Sequence, residues 1–150
     1  MHDELRQFQR NDVWTLVPRL GGEHIIGTKW IFCNKTNEEG NVIHNKAHLV
    51  AQGYSQMEGV NYDETFAPVA RMESIKILLA IACHLKFKLY QMDVKIAFLN
   101  GFLKVLFYVV QPKGFIDPYF LDHVLYLKKA FYGLKQAPRA WYDRLTQYLV

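Results

Sequence analysis

The sequence predicts an α+β fold, and three observations carry that prediction. Strand-like runs at 11–18, 25–35, 42–52, 103–110 and 124–127 accompany one clear helix, Met72 to Leu85. Residues 25–52 read as a hairpin with a polar tip. Leu89 to Gly101, LYQMDVKIAFLNG, reads as a buried strand that ends on a carboxylate and leaves by a tight exit. The chain is organised around this last stretch. Tyr90, Met92 and Val94 alternate with Gln91 and Asp93 at strand period. Asp93 is the only acid between Glu73 and Asp117 and has apolar neighbours. Burying an unpaired charge is costly, so such a carboxylate calls for a partner, a metal or a raised pKa. The alternative is an aspartate that caps the short segment Ile96 to Leu99.

The other elements follow in chain order. The polar opening MHDELRQFQRNDVW is predicted to begin as a helix. Asn11 to Pro18 reads as a short strand closed by proline, and Gly21 and Gly22 mark a turn. Ile25 to Lys35 reads as one strand, NEEGN as its turn, and Val42 to Gln52 as the returning strand. Lys29, Lys35 and Lys46 ride on this hairpin, either as a solvated face or as a phosphate-facing surface. Residues 53–68 have no sustained period and read as a long connection. Met72 to Leu85 is the clearest helix: Ile75, Leu78, Leu79, Ala82 and Leu85 form one stripe, widened by Ile77 and Ile81. A stripe that wide demands packing on a sheet or between elements. Leu103 to Val110 is a nearly continuous apolar run, predicted as a buried strand, and Val124 to Leu127 as a short one. YGLKQAP is a turn, and Pro138 suits the first turn of a final helix with Trp141, Leu145, Tyr148 and Leu149 on its apolar face. Arg139 and Asp143 can pair across one turn of it. That helix reaches Val150 without a stop signal, the pattern of a truncated product or a fragment.

With 51% hydrophobic and 15% aromatic residues among 150, a packed core is within reach and a disordered chain is excluded. The net charge of +4 is compatible with a polyanionic partner and equally with ordinary solubility. Two distant cysteines, Cys33 and Cys83, suit a reduced, intracellular protein better than a disulfide scaffold. No signal peptide or membrane-spanning run is present in the sequence. His44 and His48 stand four apart, but on a strand that spacing separates them by about 13 Å, so they are read as non-metal residues.

The motifs NDVWTLVP, IGTKWIF, NKAHLVAQGYSQ, NYDETFAPVARMESIKILLAIA, YQMDVKIAFLNG and LKKAFYGLKQAPRAWY occur in this order. Together they resemble the reverse transcriptase of copia-type LTR retrotransposons, most like plant elements, from about Val13 to Val150. The resemblance implies part of a right-hand polymerase within a Pol polyprotein. The fingers would comprise about 11–69 and 102–136. The palm would comprise about 70–101 and 137–150, as a split βαβ-type sheet with helices on one face. The thumb, the RNase H region and the Tyr-x-Asp-Asp motif would lie outside the chain. It further implies template-directed addition of a dNTP to a primer 3′-hydroxyl, with two Mg²⁺ (or Mn²⁺) ions stabilising the attacking and leaving oxygens. Such ions want hard oxygen ligands. By resemblance Asp93 is the first catalytic, metal-binding aspartate, and the Val94 backbone carbonyl supplies a further ligand. Phe98 is the aromatic that closes the sugar pocket. Lys46 and His48 lie in the fingers region over the triphosphate, and Tyr132 and Gly133 border the nucleotide. Lys135, Gln136, Pro138 and Arg139 border an RNA or DNA template-primer. No membrane partner is implied, and the intact element would work in a cytoplasmic virus-like particle or the nucleus.

The sequence departs from the family pattern at telling places. The family's NKARLVAQG is NKAHLVAQG here, so His48 stands where an arginine grips the triphosphate. A mostly neutral imidazole does not replace a permanently charged fork. Ile96 replaces a small hydroxyl residue, and the acids usual after Gly101 give way to Leu103, Lys104, Val105 and Leu106. The leading expectation is a decayed or truncated reverse transcriptase without polymerase activity alone. The others are a piece of an active, longer Pol polyprotein, and a repurposed nucleic-acid-binding module that uses Lys35, Lys46, Lys128, Lys129, Lys135 and Arg139.

Overall fold

The computed structural model describes residues 1–62 and 64–150. The elements in order are α1 (His2–Arg10), β1 (Trp14–Pro18), β2 (Ile25–Ile26), β3 (Thr28–Thr36), β4 (Val42–Ala51), α2 (Met72–Leu85), β5 (Phe102–Val109), β6 (His123–Lys129) and α3 (Ala137–Leu149). Short 3₁₀ turns occupy Gly53–Ser55 and Ala97–Asn100. Among the described residues three α-helices and two sheets make the fold α+β, as expected. One sheet has the order β1-β6-β5-β2, with β2 parallel to β5 and the other pairs antiparallel. The second is the β3–β4 ribbon.

The core lies where the four-stranded sheet meets the base of that ribbon. Phe8 of α1 is buried against it, stacked on Trp14 at 4.5 Å and edge-on to Phe131 at 5.4 Å. Leu49 of β4, Ile26 of β2, Val109 of β5 and Leu127 of β6 fill the same cluster. Burying side chains of this size contributes about 1.5–3 kcal/mol each, which ties the N-terminal helix, the ribbon and the C-terminal half into one body. The first strand is shorter than residues 11–18 because Asn11 closes α1: its Nδ2 donates to the Gln7 carbonyl at 2.7 Å. The strand expected over 25–35 breaks at Gly27, and its two pieces join different sheets.

The ribbon register sorts the side chains. Lys29 faces Val50, Ile31 faces His48, Cys33 faces Lys46 and Lys35 faces His44. Opposite residues in an antiparallel pair share a face, and the face alternates along each strand. Lys29, Lys35, His44, Lys46 and His48 therefore lie on one side. Thr28, Trp30, Leu49 and Ala51 lie on the other, which reaches the core. The acids of this stretch, Glu38 and Glu39, are confined to the tip.

Two expectations are overturned. Leu89 to Val94 is not a buried strand: it has no ladder partner, and Met92 and Asp93 face solvent, Met92 at 84% exposure. A strand period supplies a pleat but not the neighbour that satisfies its backbone groups, and none of the described strands runs beside it. The helix over 72–85 has the expected bounds, yet among the described residues its wide stripe packs on no sheet. Ile75, Leu78, Leu79 and Leu85 are exposed, and only Ala82 is buried. A third expectation holds in part: β5 is buried only at Phe107 to Val109. Its pairing jumps from Phe102↔Lys129 to Phe107↔Leu127, which bulges Val105 and Leu106 into solvent.

Candidate functional site

The residues singled out from the sequence fall into two clusters and one isolated segment. The first cluster sits on the basic side of the ribbon, near its base. Tyr132 follows buried Phe131 in the loop between β6 and α3, and its carbonyl accepts the Ala51 N–H at 2.8 Å. This bond adds the loop to the outer edge of β4. Gly133 makes so close an approach possible. Its φ is +91°, and a Cβ there would collide with the Ala51 carbonyl and the Val50 side chain. The Tyr132 ring then stands between two others: 4.9 Å from Phe98, edge to face, and 5.6 Å from His48, tilted. Phe98 comes from the 3₁₀ turn after Asp93 and also packs against the core, so the packing role and the contact with Tyr132 coexist. His48 Nδ1 lies 3.2 Å from Glu4 Oε1 of α1. Lys46, two residues back on the same face, is exposed beside this row of rings.

The second cluster joins the start of α3 to the 53–66 connection. Gln56 is its hub. Its Oε1 accepts the Lys135 backbone N–H at 2.9 Å, and its Nε2 donates to Gln136 Oε1 at 2.8 Å. The backbone donor fixes which way the Gln56 amide points. Lys135 Nζ donates to the Tyr62 hydroxyl at 3.0 Å and to the Gln56 carbonyl at 3.2 Å, and it lies over the Tyr62 ring. Pro138 stands in the first turn of α3, as its fixed φ favours. Arg139 pairs with Asp143 at 3.1 Å, as the spacing predicted, and with Glu64 at 3.4 Å. A cleft of about 240 Å³ opens here, walled by Tyr62, Phe102, Lys104, Gln136 and Arg139. It does not include the rings of the first cluster.

Asp93 and the Val94 carbonyl stand apart. Among the described residues no hydrogen bond, ion pair or ring contact joins them to either cluster, and the 3₁₀ turn that follows has no side-chain cap, which removes the capping alternative. Ile96 heads that turn at φ +53°, a strained setting for a β-branched residue. No group of three His, Cys, Asp or Glu side chains comes together to hold a metal among the described residues. One carboxylate and one carbonyl do not make a two-ion site, so the residues present do not by themselves fit the pair of Mg²⁺ or Mn²⁺ ions that the resemblance implies.

Glu4 and Gln56 were missed by sequence reasoning. Glu4 reads as an acid in the first turn of a polar helix, where it suits the helix dipole, and nothing in its local pattern points 44 residues ahead to His48. Gln56 lies in a stretch without period, where no spacing identifies a hub.

The comparisons with known proteins agree with the motifs. The family described as reverse transcriptase (RNA-dependent DNA polymerase) matches residues 11–150. The chain is 45% identical to the retrovirus-related Pol polyprotein from transposon RE2 of Arabidopsis thaliana, over all of this chain and 10% of that protein. It is 38% identical to the corresponding polyprotein from transposon TNT 1-94 of Nicotiana tabacum, over 99% of this chain and 11% of that protein. The chain belongs to the reverse transcriptase family, and these relatives are Pol polyproteins of plant copia-type retrotransposons. It spans about a tenth of the length of these relatives. No solved structure matches it. Among the described residues no helix is long and apolar enough to cross a membrane.

Proposed function

We propose that the chain is the fingers and the first part of the palm of an RNA-directed DNA polymerase, and that the side of the ribbon bearing Lys46 and His48 meets the triphosphate of a dNTP. The observation that carries this reading is the row His48, Tyr132, Phe98. Three residues separated by up to 84 positions, each matched to the nucleotide pocket by its own motif, lie in consecutive ring contact. In this reading Phe98 closes the pocket in which the sugar would lie, braced from behind by the core and from the side by Tyr132. Gly133 lets the nucleotide-facing loop approach β4, and Lys46 and His48 provide donors for phosphate oxygens. The fingers comprise about 11–69 and 102–136, and the palm about 70–101 and 137–150. The template-primer runs past the start of α3. There Lys135 and Arg139 are engaged with Tyr62, Gln56, Glu64 and Asp143, so their first role is to hold the loop that nucleic acid would cross. The 72–85 helix and the Asp93 segment, bare among the described residues, are read as surfaces completed by other parts of a longer Pol polyprotein.

Metal chemistry would enter at Asp93, but a single carboxylate does not hold two divalent ions. The chain alone is therefore inactive in this reading. Purified chain with primer-template, dNTP and Mg²⁺ or Mn²⁺ gives no extension. Extension that is lost on Asp93→Asn refutes the inactivity. For the binding reading, dNTP is titrated into labelled chain: shifts at Lys46, His48 and Tyr132 support it, and shifts confined to the cleft beside α3 refute it.

A further inference from the structure

We propose that Glu4 is a positioning residue for the anion-facing side of the ribbon: its carboxylate holds the Nδ1–H of His48 and so assigns Nε2 to a phosphate oxygen. The inference rests on the triphosphate reading of that side.

An ionised carboxylate can only accept, so the 3.2 Å contact between Glu4 Oε1 and His48 Nδ1 places the hydrogen on Nδ1. The contact is built rather than incidental. Glu4 belongs to α1, whose Phe8 is locked in the core, and its side chain is only 19% exposed; that of His48 is 30% exposed. Tyr132 lies against the ring and limits its rotation. The nitrogen that carries hydrogen in a histidine is set by the bond its other nitrogen makes. With Nδ1–H committed to Glu4, a neutral His48 presents a lone pair at Nε2, and a lone pair repels a phosphate oxygen. An anion can be met there only when Nε2 also carries a hydrogen. Anion binding at this position therefore takes up one proton, which binding at lysine does not.

The groups around the ring fix the sign. Glu4 faces it from α1, and Tyr132 from the loop before α3. Ile31 stands opposite on β3, with Lys29 and Cys33 diagonal to it, and Lys46 lies two residues back on the same face. Glu4 is the sole carboxylate in this set. The lysines attract an anion without proton uptake, so the pH dependence is carried by His48, and affinity rises as pH falls. The device gives a histidine at an arginine position a charged, oriented donor when an anion arrives, and it ties that donor to the N-terminal helix.

The test uses the 150-residue chain and cyclic trimetaphosphate, a trivalent phosphate whose charges do not titrate near neutral pH. Where the free chain holds His48 neutral and the bound chain holds it with both ring hydrogens, affinity for the wild type should fall about tenfold per rise of one pH unit, the slope for one linked proton. In Glu4→Leu the neutral ring can carry its hydrogen on Nε2 and donate without proton uptake, so the slope should become clearly shallower. Two-bond ¹H–¹⁵N correlations at high pH should show the Nδ1–H tautomer in the wild type and in Glu4→Gln, which keeps an acceptor, and the Nε2–H tautomer in Glu4→Leu. An Nε2–H tautomer in the wild type overturns the proposal by itself, even if Glu4→Leu fails to fold. An equal pH slope in the wild type and Glu4→Leu also overturns it. If trimetaphosphate shifts Lys29 and Lys46 but His48→Ala leaves its affinity unchanged, the triphosphate reading stands and this inference falls. If it shifts neither the lysines nor His48, the reading itself is refuted.

Discussion

Gly133→Ala should be among the most damaging single-methyl changes in this chain. Two costs coincide there, and the second can be met in either of two ways. The residue sits at φ +91°, and moving an L side chain into left-handed space costs about 1–2 kcal/mol. The new Cβ would collide with the Ala51 carbonyl and the Val50 side chain, and both belong to the inner end of a strand that enters the core. Backbone cannot rotate out of the way as a flexible side chain can, and forced overpacking costs about 1–3 kcal/mol. Relief by pulling the loop away would break the Ala51 N–H to Tyr132 carbonyl bond of 2.8 Å, a net loss of about 0.5–1.5 kcal/mol. The loop either keeps the overlap or gives up the bond, so the sum is roughly 2–5 kcal/mol against a total stability of about 5–15 kcal/mol for a typical domain. Urea unfolding followed by tryptophan fluorescence measures it. Gly40→Ala is the control, because Gly40 has φ +85° but open space around its Cβ position. It should cost only the conformational share, about 1–2 kcal/mol. If the two variants unfold at the same urea concentration with equal slopes, the close approach of the loop to β4 is not what Gly133 provides.

Three further outcomes are expected. Phe98→Val should destabilise the chain by about 1–3 kcal/mol through its core contact. In a polymerase completed with a relative's remaining palm and thumb, it should raise ribonucleotide use relative to dNTP, and an unchanged ratio of kcat/KM values refutes the sugar-pocket role. Binding of single-stranded nucleic acid by the chain should weaken with salt, and Lys35→Ala should reduce the log–log slope by about 0.7, the value for one phosphate contact on a single strand. A slope that does not change places Lys35 off the path. Leu78→Glu on exposed α2 should change stability by less than about 0.5 kcal/mol while reducing dye binding to apolar surface and self-association. A loss of several kcal/mol would mean that α2 is packed after all.

What the sequence made legible was local. The ribbon, the bounds of the 72–85 helix, the turn at YGLKQAP and the place of Pro138 all follow from period, turn chemistry and fixed dihedrals, which neighbouring residues determine. The Arg139–Asp143 pair was legible for the same reason, being set by helix geometry alone. The failures were of a different kind. Tyr90 to Val94 has the alternation of a strand, but a strand exists only with a partner, and alternation does not report whether one is present. The stripe on 72–85 states a demand for burial that the described residues do not meet. In the site, motif resemblance brought His48, Tyr132 and Phe98 onto one list, and their ring contacts are a fact of tertiary structure. Glu4 and Gln56 stayed hidden because their importance lies wholly in partners far along the chain.

The β3–β4 ribbon has a mechanical consequence. Nine residues of extended chain reach about 27 Å, and beyond its base the ribbon touches little but itself. Its anchors lie toward one end: Leu49 and Ala51 in the core, the Trp30 indole N–H bonded to the Lys113 carbonyl at 3.1 Å, and the Tyr132 strut on the outer edge of β4. An arm held this way behaves as a lever. A rotation of about 10° at the base would carry the tip through about 5 Å, by the ~27 Å length of the arm, and sweep Lys35 and His44 with it. Lys46 and His48, nearer the fulcrum, move far less. The ribbon thus places Lys46 beside the rings near its fulcrum and Lys35 far out along the arm, and an adjustment of the Tyr132 strut too small to disturb the core would be magnified several-fold where the ribbon ends.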